Sequence, residues 1–110
     1  MGTTMKILND QTFDSEFNAT KKPTILYFYA DWCGPCKSVS PLIEIISNEY
    51  GNALNVFKVN VDNSSDVSAR YNIMSIPTLL FVDKDKSILK QTIGFTSKEE
   101  IIRNTELIVV

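Results

Sequence analysis

The chain of 110 residues has no histidine and only two cysteines, Cys33 and Cys36. A structural zinc site draws on about four Cys or His ligands, and an iron–sulfur cluster is likewise held by several thiolates. One copy of this chain can supply neither, so no metal is expected. It also lacks any apolar run of about eighteen residues, which excludes a membrane-spanning helix. Neither sign of charge dominates: 11 basic and 13 acidic side chains give a net charge of −2. They are spread along the chain, whereas a nucleic-acid footprint gathers Lys and Arg on one face. Glycines number four and form no phosphate-cradling motif, so no bound nucleotide or other cofactor is expected. Residues Met1 to Lys6 carry no apolar signal-peptide core. Gly2 suggests myristoylation, but Lys6 occupies the place where that motif has Ser or Thr. These absences point to the cytoplasm, where a cysteine pair is more often catalytic than structural.

What remains is an ordinary globular composition, 44% hydrophobic and free of low-complexity tracts. A chain of this size forms one domain, residues 1–110, and buries about two-thirds of its unfolded surface. No linker or internal repeat divides it.

Its chemistry is concentrated in Ala30-Asp31-Trp32-Cys33-Gly34-Pro35-Cys36-Lys37, which holds both cysteines and the only tryptophan. Upstream, Thr24 to Ala30 is too uniformly apolar and aromatic for a one-sided strand and reads as a strand buried on both faces. Downstream, Val39, Leu42, Ile43, Ile46 and Tyr50 recur at helical spacing until Gly51, a natural stop. Two cysteines three apart at a helix start lie on one face, close enough to join or separate. Pro35 suits the first turn, where its missing N–H has no partner anyway, and Gly34 leaves room for another chain to approach. Free N–H groups and the helix dipole stabilise negative charge on Cys33 at the helix mouth. The thiolate is the attacking form, so Cys33 becomes the nucleophile. Cys36, one turn further in, suits the resolving role. A purely structural disulfide is the competing reading, but a loop of about four residues gives it only about 2 kcal/mol.

The rest of the chain alternates strands with helices. Met5 to Leu8 reads as a short strand. Asp10 is placed as the N-cap of a helix over residues 11–19, with Phe13 and Phe17 stacked on its inner face. Pro41 falls inside the helix that carries the cysteines and deletes one backbone hydrogen bond. Leu54 to Val61 reads as a second buried strand, and residues 63–66 as a turn capping a short helix that ends near Tyr71. Thr78 to Val82 and Ile88 to Ile93 form a hairpin across the polar turn Asp83 to Ser87. Gly94 breaks the last strand, and Ser97 with Glu100 has the capping-box form ahead of a final helix. Ile101, Ile102, Leu107 and Ile108 give that helix an apolar side. The order implies an α/β fold, a mixed five-stranded sheet flanked by four helices, parallel at first and ending in an antiparallel hairpin. The cysteines then fall at the C-terminal end of the central strand, where open α/β sheets place their chemistry.

Ala30-Asp31-Trp32-Cys33-Gly34-Pro35-Cys36-Lys37 resembles the active-site signature of the thioredoxin family, and the resemblance extends over nearly the whole chain. It implies the thioredoxin fold and protein-disulfide reduction by dithiol–disulfide exchange through Cys33 and Cys36. The partners implied are disulfide-containing target proteins and a thioredoxin reductase, and a monomer is expected. It further implies a cis Ile76–Pro77 bond, which base rates alone would not suggest, with Pro77 packed opposite the cysteines. The backbone before that proline would then receive an extended target peptide. Trp32, Pro35, Ile76, Pro77 and Gly94 are expected to form a flat, mostly apolar docking patch, Trp32 lying on the surface beside an exposed Cys33. The chain departs from the family at Tyr27, where thioredoxins commonly carry a buried aspartate that helps deprotonate the resolving cysteine. Lys58 matches the lysine that accompanies that aspartate and stands here without it. A tyrosine is a poor base near neutrality, so Cys36 is expected to be activated less directly, by water or by the departing thiolate. Two other readings stay open at this point: a disulfide oxidase or isomerase, and a thioredoxin-fold interaction subunit.

Overall fold

The computed structural model describes residues 5–109; Gly2 lies outside them. Strands β1 (Met5–Leu8), β2 (Thr24–Tyr29), β3 (Asn55–Asn60), β4 (Thr78–Val82) and β5 (Ile88–Ile93) form one sheet in the order β1-β3-β2-β4-β5. The first three are parallel, whereas β4 runs antiparallel to β2 and β5 antiparallel to β4. Helices α1 (Phe13–Ala19), α2 (Gly34–Tyr50), α3 (Ser65–Arg70) and α4 (Lys98–Val109) complete it. This is the α/β architecture that the alternation of patterns predicts. No helix among the described residues is long and apolar enough to cross a membrane.

Strand β2 sits at the centre because both its faces are apolar. Ile25 and Tyr27 join Val39, Ile43 and Ile46 of α2 and Ile101 and Ile108 of α4 in one core. Leu26 and Phe28, alternating to the opposite face, join Phe13 and Phe17 of α1 and Val67 of α3 in the other. The Phe13 and Phe17 rings stack with centroids 5.2 Å apart, as their spacing predicts. The sheet is thus clamped between two apolar layers.

Two sequence expectations are corrected here. Asp10 does not cap α1, which starts three residues later at Phe13. The Asn9 side chain instead accepts the Gln11 and Thr12 N–H groups at 2.9 and 3.1 Å. The Asp10 carboxylate reaches the start of α3, accepting the Val67 N–H at 3.0 Å and the Asp66 N–H at 3.2 Å. In α4, Leu107 faces solvent. The buried stripe is Ile101, Asn104, Thr105 and Ile108, a helical repeat with polar residues inside it. Thr105 is accommodated because its hydroxyl donates back to the Ile101 carbonyl at 2.7 Å.

Helix α2 runs unbroken through Pro41 and ends where Gly51, at φ 55°, donates its N–H to the Ser47 carbonyl. A left-handed residue is tolerated there because glycine has no Cβ to clash.

Candidate active site

The cysteines occupy the junction of β2 and α2. Cys33 is the N-cap of α2 in extended conformation, and Gly34 and Pro35 form the first helical positions. An N-cap side chain normally accepts a free helix N–H; here sulfur does so, the Cys36 N–H donating to Cys33 Sγ at 3.2 Å. The two residues are joined as a disulfide with their Cα atoms 5.3 Å apart. One helical turn therefore presents both sulfurs to each other, and the helix N-terminus is aimed at the outer one.

Cys33 is not the exposed residue that the sequence suggests. It is only 3% exposed and Cys36 only 2%, and both pack with Ala30 under Tyr29, Val61 and Ile76. Exposure belongs to the neighbours. Trp32 is 68% exposed, and Gly34 and Pro35 also face solvent. Pro77 is likewise buried rather than part of a surface patch. The Ile76–Pro77 bond is cis, and the Pro77 carbonyl is taken by the Gly94 N–H at 2.8 Å. Gly94 adopts φ 86°, a left-handed conformation that favours glycine. Of the set expected to dock a target, Trp32 and Pro35 are exposed, and Ile76 and Gly94 are half-buried.

Sequence reasoning missed several residues of this region. A groove of about 160 Å³ runs between Trp32 and the segment before Pro77, lined also by Ile73 and Met74. Met74 is 85% exposed, and Ile93 and Phe95, flanking Gly94, are large apolar groups on the surface. Asp62, in the turn Val61–Asn63 after β3, accepts the Trp32 indole N–H at 2.8 Å. No sequence signal links residues thirty apart; only the docking of that turn beside the helix start does so.

Beneath the cysteines lies Tyr27, fully buried. Its hydroxyl donates to the Cys36 carbonyl at 3.1 Å and lies 2.6 Å from Ser40 Oγ. With its single proton on the carbonyl, the phenol accepts the Ser40 hydrogen. Burial pushes the Tyr27 phenol above its ordinary value of 10.0, the Ser40 hydrogen bond working against it. It is a neutral donor, bound to the turn that carries Cys36. Lys58, opposite Tyr27 on β3, places its ammonium 4.8 Å from the centroid of the Tyr29 ring.

A thioredoxin family model matches residues 4–106. The chain is 34% identical over 103 residues to a thioredoxin of Streptomyces clavuligerus, covering 94% of each. It is 39% identical to a thioredoxin of Bacillus subtilis over 84% of this chain and 86% of that one. For a thioredoxin of Listeria monocytogenes the figures are 40%, 88% and 91%. The chain belongs to the thioredoxin family. Membership of the thioredoxin family and a cysteine pair at bonding distance make it a thiol–disulfide oxidoreductase. Its redox partners are proteins carrying disulfides, as thioredoxin-family chemistry requires.

Proposed function

We propose that Cys33 is the attacking thiol and Cys36 the resolving one, in a protein that reduces disulfides of cytoplasmic target proteins and is itself reduced by a thioredoxin reductase. The observation that carries the assignment is the hydrogen bond from the Cys36 N–H to Cys33 Sγ. It puts Cys33, and not Cys36, at the positive end of α2, where a thiolate is stabilised. In the forward reaction the Cys33 thiolate attacks one sulfur of the target disulfide, forming a mixed disulfide and releasing the other target sulfur as thiolate. Cys36 then attacks Cys33, its electron pair forming the Cys33–Cys36 bond while the second target thiolate leaves. Trp32, Pro35, Ile76 and Gly94 surround the attacked bond, with the residue before Pro77 offering its backbone to an extended segment. Pro77, Tyr27, Lys58 and Gly34 support the geometry from beneath and beside. The protein acts as a single-domain monomer.

Insulin-disulfide reduction with dithiothreitol as electron donor tests the reading. Wild-type protein is expected to accelerate it, and Cys33→Ser to return the rate to background. Equal rates for both would show that the cysteines serve only an interaction subunit. Trp32 gives a second readout: as the sole tryptophan, adjacent to Cys33, its fluorescence should change when the pair is reduced.

A further inference from the structure

The chain carries three methionines besides its two cysteines. In the disulfide state the cysteine sulfurs are bonded to each other, in residues only 3% and 2% exposed. Met1 lies outside the described residues, and Met5 is half-buried against the core that holds Ile25 and Val56. Met74 is the contrary case. It stands in the loop between α3 and β4, 85% exposed, on the groove it shares with Trp32, Ile73 and Ile76. A thioether reached by an oxidant becomes a sulfoxide, and a flexible apolar group turns into a polar one. This groove is poorly equipped to receive such an oxygen. Its remaining walls are apolar apart from Ser68 and Ser75. The Trp32 indole N–H is already given to Asp62, and Ser68 Oγ is enclosed. A sulfoxide oxygen covered by a docked segment therefore loses its water without a ready donor in return, which is costly.

We propose that Met74 is an oxidation site in the disulfide form of the protein, where a hydroperoxide converts its thioether to the sulfoxide and weakens the docking of target proteins. This rests on the reading of Trp32 and Ile76 as part of the target-docking surface. Met74 Sδ attacks one peroxide oxygen; the O–O bond breaks and a sulfur–oxygen bond forms. Sulfur loses two electrons, and the peroxide proton passes to the departing oxygen. The hydroperoxide is thereby reduced to an alcohol, or to water when it is hydrogen peroxide. Cys33 and Cys36, already joined, take no part in this step.

The test treats the oxidised protein with hydrogen peroxide, removes the excess with catalase, and then measures insulin reduction with dithiothreitol as electron donor. Peptide mass spectrometry follows the oxygen added at Met1, Met5 and Met74. Once Met74 is fully converted, KM for insulin is expected to rise roughly fivefold with kcat nearly unchanged. For Met74→Leu, whatever its untreated KM, the same treatment should leave that KM where it started, although Met1 and Met5 are still present. An unchanged KM in wild-type protein carrying the Met74 sulfoxide would overturn the proposal. So would an equal rise in treated Met74→Leu, or a fall in kcat at constant KM, which would put the damage at the cysteines. The underlying reading is checked without peroxide, by Trp32→Ala, which is expected to raise KM for insulin. If it does not, the docking surface is misassigned and the proposal fails with it, whatever the treated proteins show.

Discussion

Asp62 holds the indole of Trp32 by a 2.8 Å hydrogen bond across two separate loops. The bond fixes a large, solvent-facing aromatic group at the edge of the groove; in the proposed function it spares a docking target the entropy of ordering that group. A charge-assisted bond at the surface contributes about 1 kcal/mol. Asp62→Ala is therefore expected to raise KM for insulin roughly fivefold with kcat nearly unchanged, measured by initial rates. Tyr27 acts from the other side. Its hydroxyl ties the Cys36 turn to the central strand, and Tyr27→Phe leaves the Cys36 carbonyl without that donor. Ser40 lines an open cleft and can turn to water. The loss is therefore expected near the low end for a buried polar group, about 1 kcal/mol, read from the urea midpoint of the oxidised protein.

At the scale of elements, α3 depends on a residue far from it in sequence. Six residues make too short a helix to persist alone, and Ser64 at its N-cap makes no side-chain capping bond. The carboxylate of Asp10, more than fifty positions earlier, accepts its first free N–H groups instead. The loss of such a cap costs about 1 kcal/mol. Asp10→Ala should accelerate hydrogen exchange at Asp66 and Val67 while leaving α1 protected; the reverse pattern would return Asp10 to α1. By contrast, α4 is capped locally, as its sequence signature implies, with the Glu100 N–H donating to Ser97 Oγ at 3.2 Å. The reciprocal half of that capping box is absent from the bonds observed, since Glu100 Oε1 accepts from Thr96 Oγ1 at 3.3 Å.

For the whole molecule, the tyrosines contribute to the stability at high pH. All four are held above their ordinary value of 10.0, burial being the largest cause in each. Tyr50, next to Glu106 and Glu49, is pushed up to about 12. A folded-state value above the unfolded one means that the native protein keeps protons which the unfolded chain has lost. That contribution is complete below about pH 10 and disappears as pH rises towards about 12. The urea midpoint should accordingly fall across this range, and Tyr50→Phe should flatten the decline. At the acid end, the hydrogen bond from Arg70 lowers the Asp14 carboxyl. Its contribution is present above the ordinary carboxylate value and lost as pH drops through the lowered one; full exposure keeps it small.

The sequence alone determined the features that arise from short-range order. Two-sided apolarity made Thr24–Tyr29 a central strand, three-residue spacing paired Cys33 with Cys36, and Gly51 and Ser97 marked helix limits through local backbone chemistry. Tertiary structure decided whatever joins residues distant along the chain. It sent Asp10 to α3, hung Trp32 on Asp62, sank Cys33 and Pro77 beneath their neighbours, and laid the Lys58 ammonium over the Tyr29 ring. Periodicity reports which face of an element is apolar, but not which loop will be brought against its end. That depends on how two cores pack on opposite sides of one sheet, a property of the assembled whole.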